Sequence, residues 1–183
     1  MSIGLMNHVP GMQQCQGLTL DAFGQDTSRK IKYVFNQQGF RNSVDYVNPP
    51  SVAFFGCSLV FGIGVDQEHT VSSYFKNSHN YGLAGVYDNQ DIYRTIDTFI
   101  NSPLYCETPI VVVWHRRDIE NLDQYYHRLI NANIYHFFCG EKLQYPNCFN
   151  MIKNIDQDAS GTHMGPATHQ MFYKSVCAVL NQS

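Results

Sequence analysis

Apolar residues fall along this chain in short, separated runs, and their spacing predicts alternating strands and helices. Val52-Ala53-Phe54-Phe55 and Pro109-Ile110-Val111-Val112-Val113-Trp114 are continuous, as expected of strands buried on both faces of a parallel sheet. Residues 31–35, 79–83 and 133–139 read as further short strands. Asn89–Ile100 spaces Ile92, Ile96, Phe99 and Ile100 at helical intervals, and Ile119–Leu129 is also helical. Pro166–Leu180 carries a stripe of Met171, Phe172, Val176 and Val179 behind a proline suited to a first helical turn. Residues 70–76 have helical character, capped at Asp66 or Thr70. Residues 1–28 are polar, rich in Gln and Gly and weakly patterned, and read as an irregular arm before one domain over residues 29–183. Residues 140–165 read mostly as loop. Strands alternating with helices imply crossovers of one hand, a mostly parallel sheet, and sites at the carboxyl ends of its strands.

Composition narrows the class. With 183 residues, 44% hydrophobic and 15% charged, the chain suits a single globular domain with a sizeable core. Twelve Tyr and twelve Phe imply a ring-rich interior, with Tyr125, Tyr126, Tyr135, Phe137 and Phe138 expected in it. The net charge of −3 supplies no basic field for nucleic acid, and the small clusters at Arg29-Lys30 and Arg116-Arg117 read as solvated faces. The start MSIGLMNHVPGMQQ is unlike a secretory leader, and no apolar run reaches the roughly 18 residues of a membrane span. A cytoplasmic protein with no membrane partner is therefore expected. The six cysteines are scattered without paired short spacings, which predicts free thiols and no zinc site. No metal or cofactor is expected.

The chemistry concentrates at one point. The apolar run 52–55 stops at Gly56-Cys57-Ser58, and Gly62 and Gly64 follow. A buried strand ending in such a turn sets the Ser58 hydroxyl at the open edge of a sheet. A serine there becomes a nucleophile when an imidazole accepts its proton and a carboxylate orients that imidazole. Backbone N–H groups must also face the developing oxyanion; the Ser58 amide and that of Gly85 are the candidates. The run DASGTHMGPATH brings Asp158 and His163 together on one loop near the end of the sequence. His169, on the first turn of the last predicted helix, reads as structural. Cys57 reads as a small packing residue, with a second possibility that its thiol is the nucleophile. Arg41 reads as a partner of a local acid that holds the N-terminal arm.

The order of these blocks resembles the SGNH/GDSL hydrolase family. Residues 52–65 are similar to its strand–Gly-Asp-Ser block, and Asn36-Gln37-Gln38-Gly39-Phe40-Arg41 resembles the N-x-x-G-F-R stretch ahead of that block. Asn80-Tyr81-Gly82-Leu83-Ala84-Gly85 is similar to the second block, and 158–169 to the last. The resemblance spans residues 31–181. It implies a flavodoxin-like, three-layer α/β/α fold with a mostly parallel sheet. It also implies hydrolysis or transfer of an acyl group, with Ser58 as nucleophile, His163 as base, Asp158 as its orienter, and the Ser58 and Gly85 amides at the oxyanion. The substrate expected is a small-molecule or glycan ester. Three positions depart from the family pattern. Cys57 stands for the Asp of Gly-Asp-Ser. The strand at 109–114 runs into His115-Arg116-Arg117-Asp118 rather than Gly-x-Asn-Asp, leaving His115 or Arg117 as the side-chain donor. Asp158 and His163 are five apart rather than three. These departures keep a second reading open: a module of the same fold that binds a glycan or a protein without turnover.

Overall fold

The two continuous apolar runs become neighbouring interior strands of one sheet. A computed structural model describes residues 19–23, 30–84, 89–114, 119–130, 133–139, 142–158 and 163–181. Its elements are β1 (Thr19–Phe23), β2 (Lys30–Val34), β3 (Val52–Gly56), α1 (Ser58–Phe61), β4 (Ser78–Gly82), α2 (Asn89–Ile100), β5 (Ile110–Trp114), α3 (Ile119–Leu129), β6 (Ile134–Phe138), β7 (Cys148–Asn150) and α4 (Pro166–Leu180). Two 3-10 turns, Gln67–His69 and Val71–Tyr74, replace the helix expected over 70–76, with Asp66 and Thr70 at their starts.

The five strands β4-β3-β5-β6-β7 pair in parallel throughout, giving an α/β fold. Every residue of β3, β5 and β6 is buried, and the strand period of two divides them between two cores. Ala53, Phe55, Ile110, Val112 and Trp114 face α2 and α3, packing on Ile92, Ile96, Phe99, Leu122 and Tyr125. Val52, Phe54, Val111, Val113 and Phe137 face the other side, packing on Val60, Val71 and the α4 residues Phe172 and Val176. The five aromatic residues expected inside are all buried.

Counted along the chain within this sheet, the strand order is 2-1-3-4-5. The connection from β3 to β4 lies on the α4 side, while α2 and α3, which lead to β5 and β6, lie on the opposite side. A constant crossover hand requires that exchange of faces when the direction of travel reverses. The reversal opens a crevice at the carboxyl ends of β3 and β5, the place where doubly wound sheets bind ligands.

Two strands also differ from the sequence expectation. Residues 19–23, expected within an irregular arm, form β1, which pairs antiparallel with β2 in register Leu20↔Tyr33. The loop expected over 140–165 contains β7, whose three residues are too few to show a period. The outer edge of β4 is closed by Tyr46, whose hydroxyl accepts from the Asn80 amide (2.8 Å) and donates to the Asn80 carbonyl (3.1 Å). Among the described residues no helix is long and apolar enough to cross a membrane.

Candidate active site

Ser58 owes its position to a tight change of direction. β3 ends at Gly56, Cys57 stays extended (φ −83°, ψ −155°), and Ser58 opens the single turn α1. That turn stops at Gly62, whose left-handed backbone (φ 79°) returns its N–H to the Ser58 carbonyl at 2.9 Å. Val60 and Phe61 go inward, while Ser58 stays half-buried at the crevice. The end of β4 presses against α1 so closely that a Cβ on Gly82 would lie 2.2 Å from the Phe61 nitrogen.

His163 approaches from the segment ahead of α4, 105 residues further along the chain. Its Nε2 lies 3.0 Å from the Ser58 Oγ, within hydrogen-bond distance. Its Nδ1 lies 3.7 Å from the Asp158 Oδ2. The Asp158 side chain is fully enclosed, whereas 26% of the His163 side chain remains exposed. The five-residue spacing is accommodated because the loop closes on itself. The Asp158 amide donates to the His163 carbonyl at 3.1 Å, and the His163 amide donates to the Asp158 Oδ1 at 3.1 Å. A bridge between Gln157 and Met164 continues the pairing outward. Asp158 thus bonds the main chain of His163 through one oxygen and faces its ring with the other.

The acid nearest Asp158 in sequence has another task. Asp156 accepts from the Ala167 amide (2.8 Å), the Thr168 amide (2.7 Å) and the Thr168 hydroxyl (2.5 Å). It caps the N-terminus of α4 from outside the helix. Burial opposes its charge, yet these hydrogen bonds outweigh burial and hold its pKa below the usual aspartate value. His169 is structural, as expected: it is buried, its Nδ1 accepts from the Val71 amide at 3.2 Å, and desolvation lowers it to about 4.

The loop after Ser58 is held by residues the sequence did not single out for this role. Arg41, expected to pair with an acid and hold the arm, lies fully buried beneath residues 61–65. Its guanidinium donates to the carbonyls of Phe61 (3.0 Å), Gly62 and Val65 (2.5 Å). It lies over the Tyr33 ring, 4.5 Å from the centroid. Burial lowers its pKa to about 10, with Tyr33, Asp66 and Glu68 acting in the opposite sense. The Tyr33 hydroxyl accepts from the Gly64 amide at 2.7 Å. Gly64 has φ 75°, and a Cβ there would lie 2.0 Å from the Asp158 Oδ2. The loop therefore forms one wall of the Asp158 niche. A glycine two positions after Gly62, with Tyr33 and Arg41 upstream, was the visible signal, but only contact in space gives it meaning.

Cys57 is buried in the core shared with α2 and α3. Burial pushes its thiol up, and hydrogen bonds from the Leu59 amide and Ser58 offset this only in part. A protonated, enclosed thiol is a packing group rather than a nucleophile. The described cysteines Cys57, Cys106, Cys139, Cys148 and Cys177 are free thiols. Among the described residues, Asp66, Glu68 and His69 bring ligand atoms within 4.8 Å of one another. The two carboxylates also act on the Arg41 guanidinium, favouring its charged form. Gly85, His115 and Arg117, expected around the oxyanion, lie outside the described residues.

Comparison with family models, with curated proteins and with solved structures finds no match for this chain.

Proposed function

We propose that this chain is a serine acyl hydrolase of SGNH type acting on carboxylic esters. The observation that carries the reading is the 3.0 Å approach of His163 Nε2 to Ser58 Oγ, with the enclosed Asp158 carboxylate on the far side of the ring. Residues 105 positions apart meet at the sheet crevice with a spacing that suits proton transfer. A purely binding module has no need of that alignment. The order of the blocks along the sequence and the 2-1-3-4-5 strand order support the same reading.

In the proposed reaction Ser58 Oγ forms a bond to the ester carbonyl carbon while its proton passes to His163 Nε2. The tetrahedral oxyanion is met by the backbone amide of Ser58, with the Gly85 amide as the further donor that the family resemblance implies and His115 or Arg117 as the side-chain donor in place of the family's Asn. Collapse breaks the bond to the alcohol oxygen, which leaves with the proton from His163. A water molecule then gives its proton to His163 and adds to the acyl carbon. Collapse returns a proton to Ser58 and releases the acid. Asp158 stabilises the imidazolium formed in both halves.

A fluorophosphonate probe tests the reading, since its phosphorus is captured by an activated serine oxygen with loss of fluoride. Labelling of the folded protein is expected, and Ser58→Ala is expected to abolish it. Absence of labelling in the folded wild-type protein, together with no turnover of simple esters, overturns the reading.

A further inference from the structure

A cleft of about 470 Å³ lies at the carboxyl ends of β6 and β7. Its walls include Leu59 and Met164, the residues directly after Ser58 and His163. Phe138, Cys139, Met151 and Ile152 complete an apolar lining. Asn150, Lys153 and Asn154, all exposed, form the polar rim. Phe138 was expected only in the core, and the sequence marked none of these residues for a cleft, because they come from four separate segments.

We infer that this cleft is the acyl site, and that the preferred substrates are esters of apolar acids of about six to eight carbons. The inference rests on the serine hydrolase reading and names its substrate class. Three physical arguments carry it. The first is position: a cleft bordered by the neighbours of both nucleophile and base accepts a group attached to the carbonyl under attack. The second is chemistry. A sugar placed against Leu59, Phe138, Met151, Ile152 and Met164 would leave hydroxyls without partners, at a cost of about 1–3 kcal/mol each. An alkyl chain loses nothing there, and the flexible Met and Leu side chains adapt to it. The third is size. A volume of about 470 Å³ lies within the roughly 300–1,000 Å³ range of small-molecule sites. Taking about 30 Å³ per methylene, close to a water's share of the liquid, a chain of six to eight carbons fills about two fifths to one half of it. The exposed Asn150, Lys153 and Asn154 remain in water at the rim.

Each methylene moved from water onto the apolar wall favours the transition state by about 2- to 4-fold, the full value holding for complete burial. The test is a series of p-nitrophenyl esters from acetate to decanoate, run alongside fluorophosphonate labelling of the same preparation. The expected result is kcat/KM rising by at least about 10-fold from acetate to hexanoate or octanoate, then falling at decanoate. Ile152→Trp and, from a separate segment of the lining, Cys139→Phe fill the cleft. Each is expected to lower the octanoate-to-acetate ratio by about 10-fold or more, with melting curves identifying whichever variant folds. A protein that labels at Ser58 yet prefers acetate, or whose ratio is unmoved in a folded blocking variant, overturns the acyl-site inference and leaves the hydrolase reading standing. A protein that neither labels nor turns over any ester in the series overturns both.

Discussion

Gly64→Ala probes the link between the loop after Ser58 and the acid behind His163. The new methyl would stand 2.0 Å from the Asp158 Oδ2, 2.5 Å from its Cγ and 2.7 Å from its Cβ. Ordinary contact begins near 3.4 Å, so the carboxylate or the loop must move by more than an ångström. The Asp158 side chain is fully enclosed and cannot swing into solvent. Backbone strain at φ 75° adds about 1 kcal/mol. With the overlap, typically another 1–3 kcal/mol for an overpacked site, stability should fall by about 2–4 kcal/mol. A misplacement of about 1 Å near reacting groups is worth about 10²-fold in rate. The second-order rate of fluorophosphonate labelling is therefore expected to drop about 10²-fold. Asp158→Ala sets the ceiling, about 10⁴-fold if Asp158 orients His163 as proposed. Gly62→Ala is the strain control: its φ of 79° is equivalent, but its Cβ would meet Thr70 and Arg41 rather than Asp158. If Gly64 acts through Asp158, the double variant Gly64→Ala/Asp158→Ala labels no more slowly than Asp158→Ala alone. Labelling of Gly64→Ala at close to the wild-type rate in the folded protein refutes the reasoning. So does a double variant in which the two losses simply multiply.

Arg41→Met should cost at least about 3 kcal/mol in urea unfolding, because the buried carbonyls of Phe61, Gly62 and Val65 lose their donor at roughly 1–3 kcal/mol each. Arg41→Lys should recover only part of that loss, since one ammonium cannot reproduce the planar fork; full recovery would contradict the account. Acid should destabilise the fold through its buried imidazoles. Desolvation lowers His79, His136 and His169 to about 4, and His136 and His169 accept hydrogen bonds from Trp114 Nε1 (3.0 Å) and the Val71 amide (3.2 Å) in the neutral form. Between about pH 6.5 and pH 4 the unfolded chain binds protons that the folded chain refuses. Stability therefore falls as pH falls through that window, by up to about 1.4 kcal/mol per pH unit for each histidine, and this contribution levels off below about 4. Urea melts across the window check this, and His136→Gln should make the dependence shallower by about one proton; an unchanged slope in that variant would refute the assignment.

Much of the sheet and of its covering helices was legible along the chain. Val52 to Phe55 and Ile110 to Trp114 are continuous apolar runs because both faces of β3 and β5 are covered, and α2, α3 and α4 announce themselves by their 3.6-residue spacing. Ser58 was legible because a buried strand that halts at small residues must present its next side chain at a sheet edge. His163 and Asp158 were legible as types on one loop. These are local properties, set by backbone period and by the φ/ψ demands of turns. Their meeting was not local. Whether His163 faces Ser58 depends on where the 2-1-3-4-5 order puts the end of β3 relative to the segment before α4, and no spacing in the sequence encodes a 3.0 Å contact across 105 residues. The separate tasks of Asp156 and Asp158 were likewise set in space, one carboxylate taken by the α4 amides and the other enclosed against Gly64 and the imidazole. Arg41 stood out in the stretch 36–41, but its hold on residues 61–65, the role of Tyr33 and the cleft lining had no pattern to reveal them, since those roles exist only where separate segments meet. Sequence alone determined the elements and the chemical inventory, because those arise from short-range periodicity. Tertiary structure decided which of those groups act together, because hydrogen bonding and close packing operate over ångströms, whatever the distance along the chain.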